Sequence, residues 1–238
     1  MANALLMLIS GNYKVLNFSQ ARERLSDSEE VSGLCCLRHD VDYCLESALS
    51  MAQLEEKCGI SSSYFFLVDS DHYNVLSVHS RDIISNIAQL GHEICLHFDI
   101  SNYDKLDHSK IISFHVSCLE LASQKKVSNI SYHCPGVIGL NNLSLADQYE
   151  GLYNTYSEKF NSYFNYASDS LCKFKDIDIL KKINARNLKN IHLLIHPIWW
   201  CESALTRDQK IHDNFERKIK YFTSEYNNIL VEYGVDKI

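Results

Sequence analysis

Leu34-Cys35-Cys36-Leu37-Arg38-His39-Asp40-Val41-Asp42 runs from an apolar stretch into a charged end, and a helical pattern begins two residues later, near Cys44. An apolar run of this length reads as a buried strand. Residues two apart on a strand share a face, so Asp40 and Asp42 point the same way, with Arg38 beneath them. Two carboxylates held that close repel unless a cation, a proton or a division into base and ligand separates their roles. Taken alone, the stretch reads first as a polar strand end with helix-capping aspartates, and it is the other stretches of the chain that change this.

Downstream, strands and helices alternate. The run after Asp42 carries Ala48, Leu49, Met51, Ala52 and Leu54 on a helical period and stops at Gly59. A strand follows at 62–68, then a helix at 81–90 with Ile83, Ile84, Ile87 and Leu90 on one stripe, then a strand at 92–97. A helix at 109–124 leads to a strand at 129–133, punctuated by Pro135-Gly136. Extended pieces are expected at 153–156 and 164–168, a short helix around 177–183, and a buried strand at 191–198. A last amphipathic helix or helix pair occupies 207–233, with Phe215, Ile219, Phe222, Tyr226 and Leu230 at helical spacing. Ahead of all this, residues 3–9 read as a short helix, Gly11-Asn12 as a turn, 13–18 as extended, and Ser19 opens another short helix. Repeated β-α units with apolar strands imply a parallel sheet, and 238 residues at 46% hydrophobic suit one barrel-sized domain spanning 1–238.

A formal charge of −7 and the absence of any basic block exclude an electrostatic nucleic-acid or anionic-membrane binder, so the partner is a small molecule or a sugar. The 9 cysteines are an odd number and scattered, with Cys35-Cys36 the only close pair. That pattern specifies neither a disulfide framework nor a Cys-x-x-Cys zinc site, and free thiols belong in a reducing compartment. The apolar run Ala4–Ile9 is too short to span a bilayer and no Lys or Arg precedes it, so a cytoplasmic enzyme with no membrane span is expected. Nothing in the residues specifies an oligomeric state.

In parallel barrels the chemistry sits at the C-terminal ends of the strands. Asp40 and Asp42, His97, His133, Asp169 and His196 all fall at strand exits. His92 lies roughly 16 Å from His97 along its strand and has the opposite parity, which removes it from any shared site. His192, at the start of its strand, reads as structural by the same reasoning. His72, His79, His108 and His212 sit in loops or near helix ends as solvated histidines, and His115 is a helical one.

Taken together, Leu37–Asp42, GHEICLHFD (91–99), SYHCPG (131–136), YASDS (166–170) and LLIHPIWW (193–200) resemble the polysaccharide deacetylases of carbohydrate esterase family 4, the NodB-homology superfamily. The likeness is to its His-Asp-Val-Asp branch, associated with surface-polysaccharide biosynthesis. The resemblance implies an α/β fold, a distorted TIM-like (β/α) barrel of seven strands, and a metal-dependent hydrolase of linear amide bonds. It makes Asp40 the catalytic base, Asp42 the metal carboxylate, His97 the first metal histidine and His196 the general acid. Ser101 stands where the family places a second metal histidine, and His133-Cys134-Pro135-Gly136 replaces its Arg-Pro-Pro motif. His133 is therefore the expected third ligand, with Arg38 supplying the positive charge beside Asp40. Cys172 and Phe174 depart from the glycine and tryptophan that usually follow the Ser-Asp-Ser element.

The expected cofactor is one divalent metal, zinc by the mixed oxygen and nitrogen donors. Amide hydrolysis needs an activated water, a charge acceptor for the oxyanion and a proton for the departing amine, and such a site divides these among Asp40, the metal and His196. Substrate contacts are expected from Arg38, Asp169, Trp199 and Trp200. Asp169 either fixes the His196 tautomer or binds a sugar hydroxyl, a buried ion pair also explains Arg38 and Asp169, and the tryptophans are either a stacking face or core. The expected activity is N-deacylation, chiefly N-deacetylation, of an N-acylated sugar, with nucleotide- or lipid-linked precursors of a surface polysaccharide among the candidates. A sugar-binding barrel without catalysis, suggested by Ser101, and another metal-dependent amidohydrolase are the alternatives. Metal content separates the first and acyl-release panels the second.

Overall fold

In the computed structural model, which describes residues 2–27, 32–103, 106–139, 143–172, 183, 185, 187–200 and 205–234, strand β2 (Leu34–Val41) is buried along its whole length. Three strands account for this burial. β9 (Asn190–Ile195) covers one edge from Leu34 to His39, while the other edge is shared by β1 (Lys14–Leu16), opposite residues 34–36, and β3 (Ser63–Leu67), opposite residues 38–41. Every partner is parallel. From β3 the sheet continues in parallel through β4 (Glu93–Phe98), β5 (Asn129–Tyr132) and β7 (Leu152–Asn154), and beyond β9 it ends on β8 (Asn165–Ser168). A two-residue strand β6 (Gln148–Tyr149) adds an antiparallel edge to β7. The seven expected strands are thus the parallel path β7-β5-β4-β3-β2-β9-β8, with β1 and β6 as additions.

The sheet curls into a half-barrel. Among the described residues no ladder joins β7 to β8, so the barrel is open there. The connection between them is α7 (Glu158–Tyr163), whose Phe160 joins Phe164, Leu16, Phe18 from α2 (Phe18–Asp27) and Cys36 in an apolar cluster at the base of the interior. The helix anticipated at 177–183, like Phe174, falls outside the described residues apart from Ile183.

Helices α3 (Leu45–Lys57), α4 (Val78–Gln89) and α5 (His108–Ser123) lie on the outer face. Their apolar stripes bury Ala48, Ala52, Ile84, Ile87 and Leu119 against Tyr64, Phe66, Ile94 and Leu96. α4 begins at Val78, three residues before the expected start at 81, because the Ser77 side chain caps it, accepting from Ser80 N. α1 (Ala2–Asn12) absorbs the expected Gly11-Asn12 turn into its last residues, and α8 (Arg207–Glu232) is one long helix rather than two.

The alternation of β2 sends even residues inward and odd residues to the helices. His39 therefore faces α3, where its Nε2 donates to Glu55 Oε1 at 2.6 Å; Ser62 Oγ (2.6 Å) and Tyr64 OH (2.8 Å) donate to Oε2. Glu55 is fully buried. Burial alone would raise its pKa, and the His39 imidazole more than reverses this, holding it below the usual carboxylate range. Glu55→Ala leaves that imidazole and two hydroxyls without their acceptor, and is expected to cost about 3–5 kcal/mol in a urea unfolding titration. A loss under about 1 kcal/mol would show the cluster to be dispensable.

Candidate active site

Strand parity places the polar residues in layers inside the half-barrel. Arg38 lies lowest of the inward series on β2 and is fully buried, with its guanidinium 5.4 Å from the Phe65 ring centroid and 5.1 Å from that of Tyr156. Its Nη2 donates to Asp40 Oδ2 at 2.9 Å and to Tyr156 OH at 3.1 Å, and its Nη1 donates to Thr155 Oγ1 at 2.7 Å. Those bonds set Arg38 behind Asp40. Burial there sets it away from the protein surface as the counter-charge of Asp40.

Asp42 stands one step higher, past the end of β2. His97 reaches it from β4 and His133 from just beyond β5, with His97 Nε2 at 3.4 Å and His133 Nδ1 at 3.3 Å from Asp42 Oδ1. The two imidazole nitrogens are themselves 3.2 Å apart. All three ligand atoms lie within 4.8 Å of one another, and this is the one cluster of such metal-binding groups among the described residues. Asp42 Oδ1 is buried and makes no well-formed hydrogen bond in spite of its two neighbours. Two ring nitrogens and a carboxylate oxygen this close to one another are the donor set of a two-His, one-carboxylate cation site. The residues fit a divalent metal.

Burial would raise the Asp42 pKa, but the imidazoles of His133 and His97 hold it far below the usual range. His133, which burial would lower, is pushed up to about 11 chiefly by Asp42. A proton on His133 is the counter-charge the chain itself supplies at the cluster. On the opposite side of His97, Ser131 Oγ sits 2.7 Å from Nδ1, which fixes the ring so that Nε2 turns to Asp42. Ser131 was legible, since it shares inward parity with His133.

His196 approaches from the exit of β9, its Nε2 3.7 Å from Asp42 Oδ2 and its Nδ1 donating to Asp169 Oδ1 at 2.6 Å. Asp169, just past β8, also accepts from His196 N (3.0 Å) and from Trp200 Nε1 (2.6 Å). Burial opposes the charge on His196, but Asp169 raises its pKa to about 9, so it carries a proton at neutral pH. Asp169 is thus committed to His196 and to Trp200, not to a sugar hydroxyl. Trp200 packs partly against the apolar cluster under β9, and Trp199 is 7% exposed. Trp199 is therefore core, while Trp200 stays partly exposed. Asp40 Oδ2 lies 3.7 Å from His97 Nε2, and Asp40 Oδ1 is buried without a hydrogen bond.

Ser101 is exposed and hydrogen-bonds Asp99, away from the ligand cluster. His92 faces the helices, where its Nε2 donates to Ala52 O at 3.0 Å, and His192 is buried low in the barrel beside Phe160 and Tyr166. Burial lowers the pKa of both, so the unfolded chain binds more protons than the fold below the ordinary histidine value of 6.5. His133 and His196 are already protonated in both states there, and their contribution no longer changes. Stability is therefore expected to rise with pH up to about 6.5, seen as a falling Tm on acidification. A Tm constant from pH 7 to 5 would contradict the buried neutral histidines.

No family model and no curated protein matches the chain. Solved structures do. A CE4 family pseudoenzyme from Bacillus anthracis aligns with a TM-score of 0.43 at 14% identity, covering 77% of this chain and 60% of that one. A family 4 carbohydrate esterase from the same organism gives 0.44 at 12%, covering 87% and 90%. The chitin deacetylase of the fungal pathogen Colletotrichum lindemuthianum gives 0.42 at 13%, covering 79% and 83%. The chain spans less than two thirds of the pseudoenzyme's length.

Proposed function

We propose that this chain is a metal-dependent N-deacylase of N-acylated sugars, with an N-acetyl group as its ordinary target and a nucleotide- or lipid-linked precursor of a surface polysaccharide as the form of substrate. The observation that carries the reading is the convergence of Asp42, His97 and His133 on one point, flanked by the Asp40–Arg38 pair on one side and the His196–Asp169 pair on the other. Asp42, His97 and His133 would hold a divalent ion, zinc by donor type. Such an ion supplies Lewis-acid polarisation of the acyl carbonyl and acidifies a water.

The side chains divide the proton traffic. Asp40 accepts the proton of the attacking water, with Arg38 neutralising the carboxylate from behind. His196, held protonated by Asp169, delivers a proton to the departing nitrogen, and Trp200 keeps Asp169 in place for that task. An amide needs that proton because an amine leaves poorly as an anion, whereas an activated ester does not. The eight described cysteines are free, which supports a reducing, cytoplasmic setting. No helix among the described residues is long and apolar enough to cross a membrane.

His196→Ala separates the steps. It is expected to retain the metal and to lose about 10²–10⁴ in turnover on an N-acetylated sugar, with a much smaller loss on an activated acetate ester. Acetate release and metal content, measured on the same preparations, check both halves. Equal losses on ester and amide would remove the acid role. Absence of acyl release from a panel of N-acylated sugars by the metal-loaded protein would remove the activity.

A further inference from the structure

Helix α8 meets the barrel through one narrow stripe near its start. Lys210 and Asn214 are buried, Lys210 Nζ donates to Trp199 O, Lys218 Nζ donates to His72 O at 2.6 Å, and the Tyr221 ring stacks on His79 at 5.2 Å. A quarter turn away, roughly 90° around the helix at 100° per residue, lies a second stripe: Phe215, Ile219, Phe222, Tyr226, Ile229 and the capping residue Tyr233. All six are 48–79% exposed. Their steps of 4, 3, 4, 3 and 4 residues are a strict heptad seam, which differs from the broader 3.6-residue face of a helix lying on its own core.

We infer that this stripe is the seam of a homodimer in which two copies of α8 pair antiparallel. Set antiparallel, the stripe pairs with itself over its whole length. With Phe222 set opposite Tyr226, Ile219 meets Ile229 and Phe215 meets Tyr233, so each layer joins a first-position to a fourth-position heptad residue and every isoleucine meets an isoleucine. The flanking charges set Lys218 of one copy beside Glu232 of the other, twice by symmetry, against one Glu225–Glu225 contact at the twofold axis, whereas parallel pairing sets Lys218 beside Thr223 and Glu225 beside Leu230 and forms no opposite-charge pair. Lys218 keeps ammonium donors to spare after its bond to His72. Opposed helix dipoles add to the same preference. Six large, half-exposed side chains per copy bury on the order of 1,200 Å² in total, at the lower end of stable interfaces.

The test is sedimentation equilibrium and light scattering of the full chain from about 1 to 100 μM, the range such an interface supports. A dimer is expected. Phe222→Glu, at an exposed position and therefore compatible with an unchanged circular dichroism spectrum and Tm, is expected to yield a monomer throughout. Glu232→Lys is expected to weaken the dimer severalfold, and addition of Lys218→Glu to restore it. A wild-type chain that stays monomeric, leaving the stripe to some other partner, overturns the inference. So does a dimer indifferent to Phe222→Glu, and a charge swap that fails to restore association overturns the antiparallel register.

Discussion

Asp42→Asn is expected to empty the metal centre and reduce deacylation to background. The asparagine amide keeps the shape but removes the charge that His97 and His133 face at 3.4 and 3.3 Å. Without it, the two ring nitrogens 3.2 Å apart lose the anion that offsets a divalent ion's charge and supplies its oxygen donor. Metal affinity should fall by more than about 100-fold, beyond the range seen when only an outer partner of a ligand is changed. Elemental analysis after dialysis reads this directly as ions per chain. An asparagine variant that keeps one ion per chain would show that Asp42 is no ligand.

Asp40→Asn is expected to behave in the opposite way with respect to the metal. The ion is retained and turnover falls by about 10²–10⁴, the scale of a lost general base. A second consequence follows from Arg38, whose buried guanidinium spends Nη2 on Asp40 at 2.9 Å. Removing the charge of Asp40 leaves a cation uncompensated in the barrel, which costs about 3–5 kcal/mol. Slowed turnover, unchanged metal content and a lowered Tm should therefore appear in one variant. Full activity on an amide substrate would remove Asp40 from the mechanism, and an unchanged Tm would show that Arg38 is balanced by Thr155 and Tyr156 alone.

The features readable from sequence are those that depend on local alternation. Leu34–Leu37 followed by Arg38, Asp40 and Asp42 specifies a buried strand with an inward polar series, and His97, His133 and His196 sit at strand exits for the same reason. Parity also separates His92, turned to the helices, from His97, turned to the site. What stays hidden depends on distant partners. Nothing near Arg38 announces Thr155 and Tyr156, which reach it across 117 and 118 residues and set it behind Asp40. The Trp199-Trp200 pair gives no local sign of which ring will serve Asp169. β1 falls within the extended stretch read at 13–18, but three residues carry too little pattern to place it in the sheet, and its position is assigned only by the edge of β2 that β3 leaves uncovered. The α8 stripe shows the converse: its periodicity is plain in sequence, but only the fold shows that those residues face away from the core.

The proposed metal site depends on His133 as its third ligand, in place of a histidine at Ser101. Calorimetric titration of the metal-free protein with Zn²⁺, for the wild type and for His133→Ala, tests it most directly. One ion per wild-type chain is predicted, with binding weakened by at least about 100-fold in His133→Ala. A variant that binds zinc as the wild type does would contradict the account, because Asp42 and His97 would then be completing the site with some other group.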